Sequence, residues 1–136
     1  MRRIATELDT VIVSARRMVA RMTEFEERRK AGFGTFITAE QIRQRAPVLL
    51  GDVLRGIPSI KIVGQGMTQI AYSTRTSSCP LQVVLDDVLL PPRTDIASLV
   101  SPSEVMAIEV YSGPATIPLQ YRHSNSGCGV ILIWTK

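Results

Sequence analysis

Cys79, His123 and Cys128 are the residues whose side chains are most suited to nucleophilic or metal chemistry. A catalytic thiol needs a base within hydrogen-bond reach and a third group to orient that base; a structural zinc needs four ligands, usually arriving in closely spaced pairs. Two distant cysteines and a lone histidine supply neither pattern, and His123, flanked by Arg122 and Ser124, reads as a solvated loop residue. Asp86-Asp87 sets two carboxylates side by side, but neighbours along a strand face opposite sides, and paired Asp is at home in a turn. Gly64-Gln65-Gly66 stands between two extended runs and lacks the helix N-terminus with which a glycine loop cradles phosphate. No catalytic, cofactor-binding or metal-binding residue is expected, and an enzyme is the least favoured class.

Net charge and composition narrow the field further. The 136 residues carry a net charge of +4 and 45% apolar residues, which suits one compact core. The arginines crowd the first thirty positions without the series of stacking rings that single-strand binders interleave with basic residues, so the cluster reads as a solvated helix face, and no nucleic acid is expected as partner. No run approaches the ~18 apolar residues of a membrane-spanning helix. The chain is also too short, and too irregular in alternation, for a transmembrane barrel. Behind Met1-Arg2-Arg3 there is no apolar stretch, so no export signal is expected in this chain.

These residues must be positioned by a mixture of helices and strands. Thr10 to Ala15 is β-branched and reads as extended. From Arg17 to Lys30, Met18, Val19, Met22 and Phe25 recur at helical spacing with charged residues, Arg28 among them, on the wet side, and Gly32 ends the helix. A short strand at 34–37 leads into a helix opened by Thr38 and Gln41, a capping-box pair, and stopped by Ala46-Pro47. A second short helix spans 48–55. Period two then predicts a hairpin of Ile60–Val63 with Thr68–Tyr72, a second hairpin of Leu81–Leu85 with Val88–Leu90 about Asp86-Asp87, a helical turn at Ser101–Glu104, and strands at 107–111 and 129–135. The fold class is α+β: one domain with a mixed sheet containing strands near 60–63, 83–86, 107–111 and 129–135, short helices packed on it, and Val84, Ile108, Val110, Val130 and Ile131 buried.

Four stretches, in this order and spacing, resemble the plug domain of TonB-dependent outer-membrane receptors. They are Ile37 to Ile42 followed by Leu50-Gly51-Asp52-Val53-Leu54 and Ile57-Pro58; Val83-Val84-Leu85-Asp86-Asp87-Val88; Ile108-Glu109-Val110-Tyr111-Ser112-Gly113-Pro114; and Gly127-Cys128-Gly129-Val130-Ile131-Leu132-Ile133-Trp134-Thr135-Lys136. The last is similar to the family's closing "G-x-G-V-I-x-I-x-T-K" strand. Asp87 stands where the family's hairpin has Gly, and Leu119 to Ser126 departs from the small-residue loop common after the Gly-Pro.

The resemblance divides the chain into residues 1–33, an extended segment and amphipathic helix, and 34–136, the plug-like domain. It implies a non-catalytic cell-envelope domain acting in gating, recognition or interaction in outer-membrane transport, at the periplasm or outer membrane, with TonB or a β-barrel or other envelope protein as partner. A secreted regulatory or adhesion module on the same fold is the alternative. Asp9-Thr10-Val11-Ile12-Val13-Ser14-Ala15 is similar to the TonB box, which docks on TonB by adding a strand, although an ordinary edge strand or linker is the commoner reading of so short a β-branched run. In an oxidising envelope compartment Cys79 and Cys128 are expected to pair; buried reduced thiols are the alternative.

Overall fold

A computed structural model of the chain describes residues 2–64, 67–75, 79–122 and 126–136. Helix α1 (Arg2–Ala31) is followed by β1 (Thr35–Thr38), α2 (Ala39–Arg45), α3 (Leu50–Leu54), β2 (Ile60–Val63), β3 (Ile70–Ser73), β4 (Gln82–Leu85), β5 (Val88–Leu89), β6 (Val105–Tyr111) and β7 (Val130–Thr135), with one short 3-10 helix between β5 and β6 and three between β6 and β7. Five strands form a mixed sheet in the order β1-β6-β7-β4-β5, in which only β4 and β7 run parallel.

The sheet lies between two layers. On one face Ile37, Val83, Ile108, Val110, Ile131 and Ile133 pack against Ile42 of α2 and Leu50, Val53 and Leu54 of α3. On the other, Val84, Tyr111, Val130, Leu132 and Trp134 meet Phe25 of α1. A strand covered on both sides has no polar face to show, so β6 is buried along its whole length and β7 along all but Thr135. A bulge at Met106, between the pairs Val105↔Thr135 and Ala107↔Trp134, turns Met106 and Ala107 to the same α1 face.

Local chemistry sets the element ends. The Thr38 hydroxyl accepts from Gln41 N and Gln41 Oε1 accepts from Thr38 N, the reciprocal box that opens α2. Asp86 and Asp87 both take positive φ, 47° and 69°, as the hairpin turn between β4 and β5 requires; Asp tolerates this conformation and so replaces Gly. All five residues expected in the core are buried.

Two expectations are corrected. Asp9, Thr10, Val11, Ile12, Val13, Ser14 and Ala15 are helical, part of α1, and not extended. With neither Gly nor Pro from Arg2 to Ala31, the propensity penalty of the β-branched residues, a few tenths of a kcal/mol each, does not break the helix. Ile60–Val63 does not join the main sheet. It pairs with β3 in a separate two-stranded sheet. Gln65 and Gly66 of the hairpin tip and His123 lie outside the described residues.

Candidate functional site

The most concentrated polar chemistry in the described residues is buried between α1 and the sheet. Glu109 points from the middle of β6 into the apolar α1 face and is 0% exposed. A carboxylate so placed must have every lone pair engaged. Arg28 donates Nε to Oε1 at 2.6 Å and a terminal amino group to Oε2 at 2.8 Å, a two-pronged ion pair. The Tyr111 hydroxyl donates to Oε1 at 2.7 Å and the Trp134 indole to Oε2 at 2.7 Å. Burial alone would lower Arg28, but the hydrogen bond and charge of Glu109 outweigh it and hold the guanidinium above its ordinary value. Burial first, and the Glu109 carboxylate second, raise the Tyr111 phenol well above its usual range.

Helix α1 presents this pair by its period. Arg21, Phe25 and Arg28 fall on one stripe. Arg21 reaches Asp86 at 3.5 Å and stacks its guanidinium 5.7 Å from the Trp134 ring centroid. Phe25 meets Phe36 edge-on at 5.7 Å, and Arg28 lies over Tyr121. The inward stripe is therefore two arginines around a phenylalanine, with Met22 at its margin, while Val19 is 66% exposed and Arg28 sits on the buried side, contrary to the apolar pattern.

The Asp-Asp turn is held by the same neighbourhood. Asp86 accepts from the Thr135 amide at 2.9 Å and from the Thr135 hydroxyl; Asp87 accepts from the Tyr121 hydroxyl at 3.0 Å. Burial pushes the Tyr121 hydroxyl up to about 12, opposed by Gln120 and assisted by Asp87. The two carboxylates serve as turn and anchor.

At the opposite end of β4 and β7, Cys79 and Cys128 form a disulfide with Cα atoms 5.7 Å apart. Gln82 and Val130 open the parallel ladder just beyond them, so the bond clamps the start of two strands that no short loop connects. Gly129, φ +117°, is required twice over: its backbone is left-handed, and a Cβ there would stand 2.3 Å from Leu81 and 2.7 Å from the Tyr111 carbonyl oxygen.

A second polar hub ties α3 to the loops beneath the sheet. The buried Gln69 side chain accepts from Gly51 N at 2.8 Å and donates to Asp52 at 3.0 Å, while Gln69 N donates to Asp95 at 2.9 Å. Any Cβ on Gly51 would press within 2.3 Å of Gln69, so the close approach needs glycine. The Asp52 carboxyl is lowered, first by the Leu49 amide, and Asp95 likewise, first by the Gln69 amide.

Comparison with known proteins decides what these motifs belong to. The chain matches the TonB-dependent receptor plug domain family over residues 28–127. The chain belongs to that family. Solved structures similar to this plug chain include the siderophore receptor PirA from Pseudomonas aeruginosa, 30% identical over 77% of this chain and 18% of that one, with a TM-score of 0.58. A variant of the ferric enterobactin receptor PfeA from the same organism is 22% identical over 82% and 18%, at 0.61. The copper transporter OprC is 17% identical over 76% and 17%, at 0.59. The plug chain spans under a fifth of the length of each receptor. A comparison with curated proteins found no match. A plug domain is what the family match supplies.

Of the residues singled out for partner binding in this plug chain, the structure sets Asp9 to Ala15 on α1 upstream of the stripe that docks on the sheet, with Ile12 and Val13 exposed. It joins the two cysteines. It reveals Arg28, Tyr111 and Trp134 as the shell of Glu109, and Gln69, itself held through its amide by Asp95, as the partner of the Leu50–Leu54 motif. The only signal for the first group was a carboxylate in the midst of an apolar strand, which implies a buried cation; for Gln69 there was none.

Proposed function

We propose that this plug domain acts in recognition or gating at the cell envelope, with TonB or a β-barrel protein as partner, and that Asp9 to Ala15 is the segment that engages TonB. The family match over residues 28–127 carries the reading. The disulfide supports an oxidising compartment, because such bonds persist outside the reducing cytosol. The exposure of Ile12 and Val13 supports an accessible segment.

Docking by an added strand requires the segment to leave the helical form, at the cost of its intrahelical hydrogen bonds. A pull-down with the TonB C-terminal domain separates the cases. Val11→Pro removes a strand donor and should abolish capture. The pair Ser14→Gly and Ala15→Gly weakens the helix but keeps the donors, and should leave capture intact or raise it. Capture unaffected by Val11→Pro would refute the assignment of the segment.

A further inference from the structure

Only the lower part of α1 is docked. Phe25 is buried, and Arg21, Met22 and Arg28 are half-buried, whereas every residue from Ile12 to Ala20 is exposed. Helices owe most of their stability to tertiary packing, and an unsupported run of a few turns is marginal in water. The upstream turns nevertheless carry an apolar stripe of their own. Ile4, Leu8, Val11, Ala15, Met18 and Met22 are spaced alternately by four and three residues, with Ile12 and Val19 alongside, so their positions fall on one line of the helix. That line lies roughly 110° round the helix from Arg21, Phe25 and Arg28, which explains why Ile12, Met18 and Val19 stay exposed while Phe25 is covered.

Charge is segregated along the same helix. Residues 2–21 hold Arg2, Arg3, Arg16, Arg17 and Arg21 against Glu7 and Asp9, a net +3, while residues 22–31 hold three acids and three bases. Arg16 stands at the margin of the stripe and Arg17 behind it, and neither makes an ion pair among the described residues. The size of the stripe selects the partner. From Ile4 to Met22 it is about 27 Å long and about 10 Å wide, roughly 300 Å², well short of the ~800 Å² that a stable protein interface takes from each side. A bilayer needs no matching shape: an amphipathic helix lies in its surface with the apolar side among the acyl chains and the basic side chains among anionic headgroups.

We infer that residues 4–22 of α1 form a membrane-surface helix that lays this stripe on an anionic phospholipid bilayer while the sheet stays folded. The inference does not rest on the TonB reading, and its test contains no TonB.

The oxidised chain is floated with vesicles of phosphatidylcholine alone and of phosphatidylcholine mixed with phosphatidylglycerol. Binding should favour the anionic vesicles about a hundredfold at low salt, as three net charges predict, and lose most of that preference at high salt. Circular dichroism should show helix kept or increased on the vesicles. Ile12→Ser with Val19→Ser, both on the stripe, should weaken binding about tenfold or more, whereas Val13→Ser, next in sequence but on the opposite side, should leave it unchanged. Arg16→Gln with Arg17→Gln should cut the anionic preference about tenfold. All five positions are exposed, and unchanged Trp134 emission verifies that each variant keeps its core. No binding, equal binding to the two vesicle types, loss of helix on binding, or equal damage from Val13→Ser would each overturn the inference. So would a dimer in sedimentation that Ile12→Ser with Val19→Ser dissolves, which would give the stripe to a second copy of the chain.

Discussion

At Glu109 the balance of forces is one-sided. A carboxylate in an apolar layer is tolerable only while Arg28, Tyr111 and Trp134 fill its four acceptor positions. Arg28→Ala leaves that charge unpaired and should cost about 3 to 5 kcal/mol in urea unfolding, whereas Arg28→Met with Glu109→Leu should recover most of the loss. Trp134 is the single tryptophan and donates to Glu109, so its fluorescence reports directly on this site. Tyr121 gives a pH dependence of defined sign. Its hydroxyl is raised to about 12 in the fold against 10.0 for the ordinary group, so between these values the unfolded chain has lost a proton that the folded one still holds. Unfolding is thereby favoured: stability should be unaffected by this group below pH 10 and fall by roughly 2 to 3 kcal/mol as pH rises from 10 to 12. Tyr121→Phe should remove that share of the fall in denaturation curves taken across the range and leave the share that Tyr111, raised likewise, contributes.

Among the elements, those with a strong local rule were readable in advance and those decided by competition were not. The α2 capping box, the Asp-Asp hairpin and the two apolar strands β6 and β7 follow from residue type and spacing alone. The β-branched run at Thr10 to Val13 misleads because its preference is weak against a helix continuous on both sides. The β2–β3 hairpin was visible as a hairpin, but its standing apart from the main sheet is a matter of topology that no local pattern carries. The polar shells of Glu109 and Asp52 join residues far apart in sequence, so the motif residues stood out while their partners did not. Gly129 shows a motif position explained by packing: Gly129→Ala should destabilise by more than about 1 kcal/mol, since it adds backbone strain to overlap with Leu81 and the Tyr111 carbonyl, and thermal melts would read this directly.

For the whole molecule, the disulfide and the ion pair close the two contacts that the chain's own loops leave open. The bond spans 49 positions and should contribute about 4 kcal/mol by restricting the unfolded chain; Cys79→Ser with Cys128→Ser should lower the urea midpoint accordingly, and an unchanged midpoint would remove the clamp from the account. Arg28 and Glu109 fasten the lower part of α1 to the sheet, leaving the upstream part, with Asp9 to Ala15, beyond the docked stripe. The proposed division of labour is a fixed plug core and an accessible segment for the partner. Amide hydrogen exchange of the oxidised chain, with and without a saturating TonB C-terminal domain, tests it most directly. Slowed exchange at residues 9–15 and unchanged protection in β6 and β7 are expected. Exchange at 9–15 that does not respond, or protection that appears only elsewhere, would contradict it.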